Sequence, residues 1–117
     1  MSAGIVGGTT SASAALTFNA QTGTTYTLVS ADADNKFVTL SNASGITLTV
    51  PPSVFTTGQI INVAQIGAGQ VTFAQGSGVT ITSTGATSSA PKLRAQNSAA
   101  TVVCTASNTF LVIGDLA

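Results

Sequence analysis

Only a handful of side chains in this 117-residue sequence could act on a substrate. It contains no His and no Glu, and its carboxylates are Asp32, Asp34 and Asp115. Acid–base catalysis at neutral pH usually draws on His or on a tuned carboxylate. Of the three Asp residues only Asp32 and Asp34 lie close in sequence. The run Asp32-Ala-Asp34-Asn35 offers oxygen ligands but lacks the glycine and bidentate Glu of a helix–loop–helix calcium site. An exposed Asx-type turn ahead of Phe37 is the expectation. Cys104 is the single cysteine, so an intrachain disulfide and a Cys/His metal site are both excluded by count. It lies in the apolar run Thr101-Val-Val-Cys-Thr105, where a buried, inert thiol is expected. Ser89-Ala-Pro-Lys92 matches S-x-x-K, whose chemistry needs Ser at a helix start and Lys one turn later. Pro91 argues for a loop, and the partner motifs are missing. Gly67-Ala-Gly69 lacks the third glycine of a dinucleotide loop and precedes no helix, which leaves a hairpin turn as the expectation. Asn42-Ala-Ser44 fits a glycosylation acceptor, but no secretory signal accompanies it. No catalytic residue, cofactor or metal is expected, and the chain is not expected to be an enzyme.

The polymeric partners narrow in the same way. Hydrophobic residues make up 44% of the chain and charged ones 5%, with a formal net charge of zero. Average soluble domains carry about 25% charge. Lys36, Lys92 and Arg94 are the only cations, too few for a phosphate-binding stripe. One Tyr and no Trp leave little for base stacking. No window approaches the ~18 apolar residues that cross a bilayer, and the N-terminus has no basic n-region. Neither nucleic acid nor membrane is expected as a partner. Copies so weakly charged repel one another little, which suits a dense assembly.

The elements that carry these residues read as strands. Ile46-Thr-Leu-Thr-Val50 alternates cleanly, and Pro51-Pro52 stops it. Shorter strand-like apolar segments occur at Leu16-Thr-Phe18, Tyr26-Thr-Leu28, Phe37–Leu40, Ile60–Val63, Val71-Thr-Phe73, Val79-Thr-Ile81, around Leu93, at Val102-Val103 and at Phe110–Ile113. Gly and Asn clusters separate them every 8 to 12 residues or so. One helical turn is allowed at Pro52–Phe55, and none elsewhere. The predicted fold is all-β, a single-domain antiparallel β-sandwich or jelly-roll-like barrel over residues 16–117. Residues 1–15 are Gly, Ser, Ala and Thr-rich and read as a flexible N-terminal arm. Most of the five Phe residues are expected to point inward.

Candidate contact residues follow from what is left. Ile5 and Val6 are the strong hydrophobes of the arm and could order against a neighbouring copy. Lys92 and Arg94 share one face of a short strand with Leu93 opposite; they read either as edge-protecting charges or as ion-pair partners for Asp32 or Asp34 of a neighbour.

From Thr25 to Leu116 the chain also resembles a β-rich module of tailed-bacteriophage virion proteins. The residues that carry the likeness include Tyr26-Thr-Leu28, Leu40-Ser-Asn-Ala-Ser44, Ile46–Pro52 and Gly58-Gln-Ile-Ile-Asn-Val63. Others are Gln65–Phe73, Lys92-Leu-Arg-Ala-Gln96 and Asn108–Val112. None is a catalytic signature. Such modules often end long polypeptides, whereas this sequence starts at Met1 with a short lead, which points toward a free-standing head protein. The resemblance implies a capsid decoration or cement protein, a homotrimer on the major capsid protein. It would be made in the host bacterial cytoplasm and sit on the outer capsid surface of the virion. The alternatives are a tail or head-fibre component and a carbohydrate- or receptor-binding module.

Overall fold

A computed structural model describes residues 15–83 and 89–117. The fold is all-β. The described strands are β1 (Thr17–Gln21), β2 (Thr25–Thr27), β3 (Lys36–Leu40), β4 (Ile46–Val50), β5 (Ile60–Gln65), β6 (Val71–Gln75), β7 (Thr80–Ser83), β8 (Ala99–Ala106) and β9 (Thr109–Gly114). Each falls on an apolar segment seen in the sequence. One 3-10 turn, Ser30–Ala33, stands before β3; Pro52–Phe55, where a helical turn was allowed, forms none.

The pairing differs from the expectation. Strands adjacent in sequence mostly lie in opposite sheets, and each pairs with the strand one coil later. One sheet has the order β1-β3-β5-β8-β9-β7 and the other β2-β4-β6. Five of the seven pairings are parallel; β5–β8 and β8–β9 are antiparallel. The result is a short solenoid of three coils, β1-β2, β3-β4 and β5-β6, closed by β7–β9. It is not an antiparallel sandwich or jelly roll.

The corners explain why hairpins did not form. Ser41 N donates to Gln21 O at 3.0 Å and Ile66 N to Leu40 O at 2.7 Å, so each corner hangs on the strand of the preceding coil. Asn42 links all three corners. Its Nδ2 donates to Thr22 O at 2.7 Å, its Oδ1 accepts from Ser44 N at 2.9 Å, and its carbonyl accepts from Gly69 N at 2.7 Å. Gly67-Ala-Gly69 is thus a coil corner and not a hairpin. A Cβ at Gly69 would stand 1.8 Å from the Ser44 carbonyl oxygen, so only glycine lets the corners stack this closely.

One core runs through the coils. Val38, Leu40, Ile46, Leu48 and Val50 fill coil 2, and Ile61, Val63, Val71 and Phe73 fill coil 3. Ile81, Leu93, Val102, Cys104, Phe110 and Val112 complete it, all buried. Cys104 is the buried free thiol the sequence suggested. Pro91–Leu93 lies along the β6 edge, with Phe73 N donating to Pro91 O at 2.9 Å and Leu93 N to Val71 O at 3.0 Å.

Candidate functional site

Coil 1 differs from the coils it stacks on. The register pairs Asn19 with Val38 and Gln21 with Leu40, so both polar side chains occupy core-facing positions. Tyr26, paired with Leu48, faces them from β2. Asp32, on the 3-10 turn, gathers these groups. Asn19 Nδ2 donates to Asp32 Oδ1 at 2.8 Å and to the Tyr26 hydroxyl at 2.9 Å. Tyr26 donates its hydroxyl to Asp32 Oδ2 at 2.8 Å, and Val29 N donates to the same oxygen at 2.9 Å. Gln21 Nε2 extends the chain to Asn19 Oδ1. Burial, reinforced by the Asp32 hydrogen bond, pushes the Tyr26 hydroxyl up to about 12. Three donors converge on this carboxylate, which ties β1, β2 and the 3-10 turn together.

Asp32 is therefore not a surface contact, and the exposed Asx turn is replaced by a carboxylate 2% exposed. Asp34 is exposed and caps the 3-10 turn. Lys92 and Arg94 do share one face with Leu93 buried opposite. Arg94, however, is engaged within its own chain. Its Nε and Nη2 meet Asp115 Oδ1 and Oδ2 at 2.8 Å each, and Ser98 Oγ adds a 2.8 Å bond to Oδ2. The Arg94 guanidinium, helped by Ser98, holds the Asp115 carboxyl below its ordinary range. That clamp ties Pro91–Arg94 to the C-terminal residues. Ile5 and Val6 lie outside the described residues. Ser89 lies in a turn, with no helix to carry Lys92 beside it. Among the described residues no three of His, Cys, Asp or Glu are grouped to hold a metal ion.

What the molecule offers outward is two sheet faces. On the three-stranded sheet, Thr25, Thr47 and Thr72 form one row, and Thr27, Thr49 and Ala74 the next. On the six-stranded sheet the outward positions include Phe18, Phe37, Asn62, Thr101 and Ile113 in one row, flanked by Ile60, Val103 and Leu111. No charged side chain stands among these positions of the six-stranded sheet, whereas on the three-stranded sheet Lys92 bridges Thr72 and extends the first threonine row. Phe18 is 66% exposed, against the expectation that such Phe residues point inward, and meets Phe37 edge to face with centroids 5.5 Å apart. Beside this pair lies an open groove of about 420 Å³ lined by Leu16, Phe37, Asn62, Thr101, Ile113 and Gly114. Sequence reasoning missed this face because Leu16-Thr-Phe18 has the alternation of an inward-facing strand. The neighbouring Asn19 and Gln21 carried the opposite signal only if the pairing of β1 with β3 was known. No protein-family model matches this chain, and no curated protein sequence matches it.

Proposed function

We propose that this chain is a non-enzymatic structural protein of a bacteriophage virion. Specifically, it is a capsid decoration (cement) protein that docks as a homotrimer on the major capsid protein at the outer head surface. The resemblance between Thr25 and Leu116 motivates the virion. The observation that carries the structural role is the contrast between committed charges and free faces. Asp32, Arg94 and Asp115 are held in internal contacts, while the described face of the six-stranded sheet carries no charge and that of the three-stranded sheet only Lys92 at its edge. Faces of this kind act by area and repetition, and several modest contacts held together supply avidity.

One observation favours the fibre reading: parallel coils stack along one axis, and among the described residues β1 and β2 are edge strands at the same end. Incubating the purified chain with undecorated heads and with isolated tails separates the two. Saturable binding at hundreds of copies per head is expected. Binding to tails alone would move the assignment to the fibre, and binding to neither would refute both. A sugar-binding role is disfavoured because the Phe18 and Phe37 rings stand at 82° to one another, which presents no flat platform.

A further inference from the structure

We infer that the outer face of the six-stranded sheet is the surface that joins copies of this chain, with Phe18 of one copy seated in the Leu16–Phe37–Ile113 groove of the next. The inference deepens the assembly reading, on which its trimeric form rests, by naming the contact between copies.

Three observations converge on a second copy as the occupant. The face is apolar and open: Phe18 is 66%, Ile60 47%, Ile113 45% and Leu16 42% exposed, all on or beside one sheet. Large hydrophobes clustered on a monomer's surface mark contact sites. The face is also neutral, so it gives an oppositely charged partner nothing to attract it, while two identical faces meet without repulsion. Finally, it holds both halves of a contact. Phe18 stands proud as a knob, and the groove next to it, at about 420 Å³, has room for a phenyl ring between Leu16, Phe37 and Ile113. A knob and a hole side by side on one face let each copy give and receive the same contact, as closed symmetric assemblies require. The size sets the strength. Six strands at roughly 4.8 Å spacing and five residues at roughly 3.3 Å rise give a face of about 25 by 17 Å. That is about 425 Å² per copy, about half of a standard specific interface and the size of a weak contact. Association should therefore depend on concentration.

The other face supplies the control. Thr47 lies at the centre of the threonine rows and is exposed, so a Thr47→Lys chain should assemble as the unaltered one does.

Sedimentation equilibrium of the full chain and its variants over a wide concentration range tests the inference. The unaltered chain should associate. Phe18→Glu and Ile113→Glu should each raise the dissociation constant about thirtyfold or more, while Thr47→Lys leaves it unchanged. Circular dichroism verifies folding of each variant, and because one glutamate replaces the knob and the other lines the groove, either one suffices if the other fails to fold. An unaltered chain that stays monomeric throughout would overturn the inference, including the case where hydrogen exchange shows Phe18 covered by the chain's own residues 1–14. So would association indifferent to both glutamates, or association lost in Thr47→Lys. Heads decorated by a monomer would overturn it and leave the virion reading standing; association through Phe18 without head binding would do the reverse.

Discussion

Coil 2 is filled by Val38, Leu40, Ile46, Leu48 and Val50, whereas coil 1 sets Asn19, Gln21 and Tyr26 against it. The backbone is continuous across the boundary, with the same parallel ladders on both sheets. The difference is in what each interior has beyond it. Coil 2 has coils on both sides and excludes water by stacking. Among the described residues coil 1 has one neighbour, and a hydrophobic interior there would leave its outer layer without a described partner. End repeats of stacked folds need a polar outer layer for this reason. Here Asp32 supplies it by folding back under β1 and β2 and satisfying donors from Asn19, Tyr26 and Val29. Coil 2 is held by burial and coil 1 by hydrogen bonds, and the two should fail differently.

The largest effect should come from placing a charge in coil 2. Leu48 is fully buried, and Leu48→Asp leaves an unpaired carboxylate costing several kcal/mol against a total stability of about 5–15 kcal/mol. Expression should give insoluble or unfolded chain by circular dichroism; a soluble, cooperatively folded product would contradict the register. The next effect is in coil 1. Asp32→Ala removes the acceptor for three donors and should cost about 3 kcal/mol, lowering Tm by roughly 10–15 °C. Unchanged Tm would mean that the network does not cap the stack.

A gentler probe uses pH. The folded Tyr26 hydroxyl titrates near 12 against an ordinary 10.0, so the folded state holds that proton more tightly. Its contribution is fully present below pH 10 and is lost as pH rises toward 12. Chemical denaturation across that window should show stability falling, by less than the Asp32→Ala loss because Tyr26 is only half-buried. Tyr26→Phe should flatten that part of the profile. The smallest effect should come from Arg94→Ala at the opposite end. The Arg94–Asp115 pair is exposed, and exposed pairs contribute little and are screened by salt. Tm should barely move, and what change there is should fade in high salt. Because the Asp115 carboxyl is held below its ordinary 3.8, the pair's contribution is lost only in acid.

Most strands were legible because alternation survives any pairing partner. Ile46–Val50 shows this best: Thr47 and Thr49 face outward and the three aliphatics inward, as the spacing required. The pairing was not legible. A corner such as Gly67-Ala-Gly69 and a hairpin turn use the same residue types. What separates them is whether the next strand returns beside its predecessor or crosses to the other sheet. The β8–β9 hairpin turn, Ser107-Asn108, carries no glycine at all; Asn108 supplies the positive φ of 52°. Of the candidate contacts, Lys92 and Arg94 were correctly placed on one face, but the partner of Arg94 proved to be Asp115, 21 residues away in sequence.

By itself the sequence determined an all-β chain with almost no charge to spare, because period-two alternation and composition are local properties of the residues. Tertiary structure alone decided which side of β1 faces the core and which Asp is hidden. It also decided that, among the described residues, Phe18, Ile60 and Ile113 stand exposed on one sheet face. The reason is physical: a strand has two faces at equal spacing, and only the coil stacked beside it, or the lack of one, determines which of them is inside.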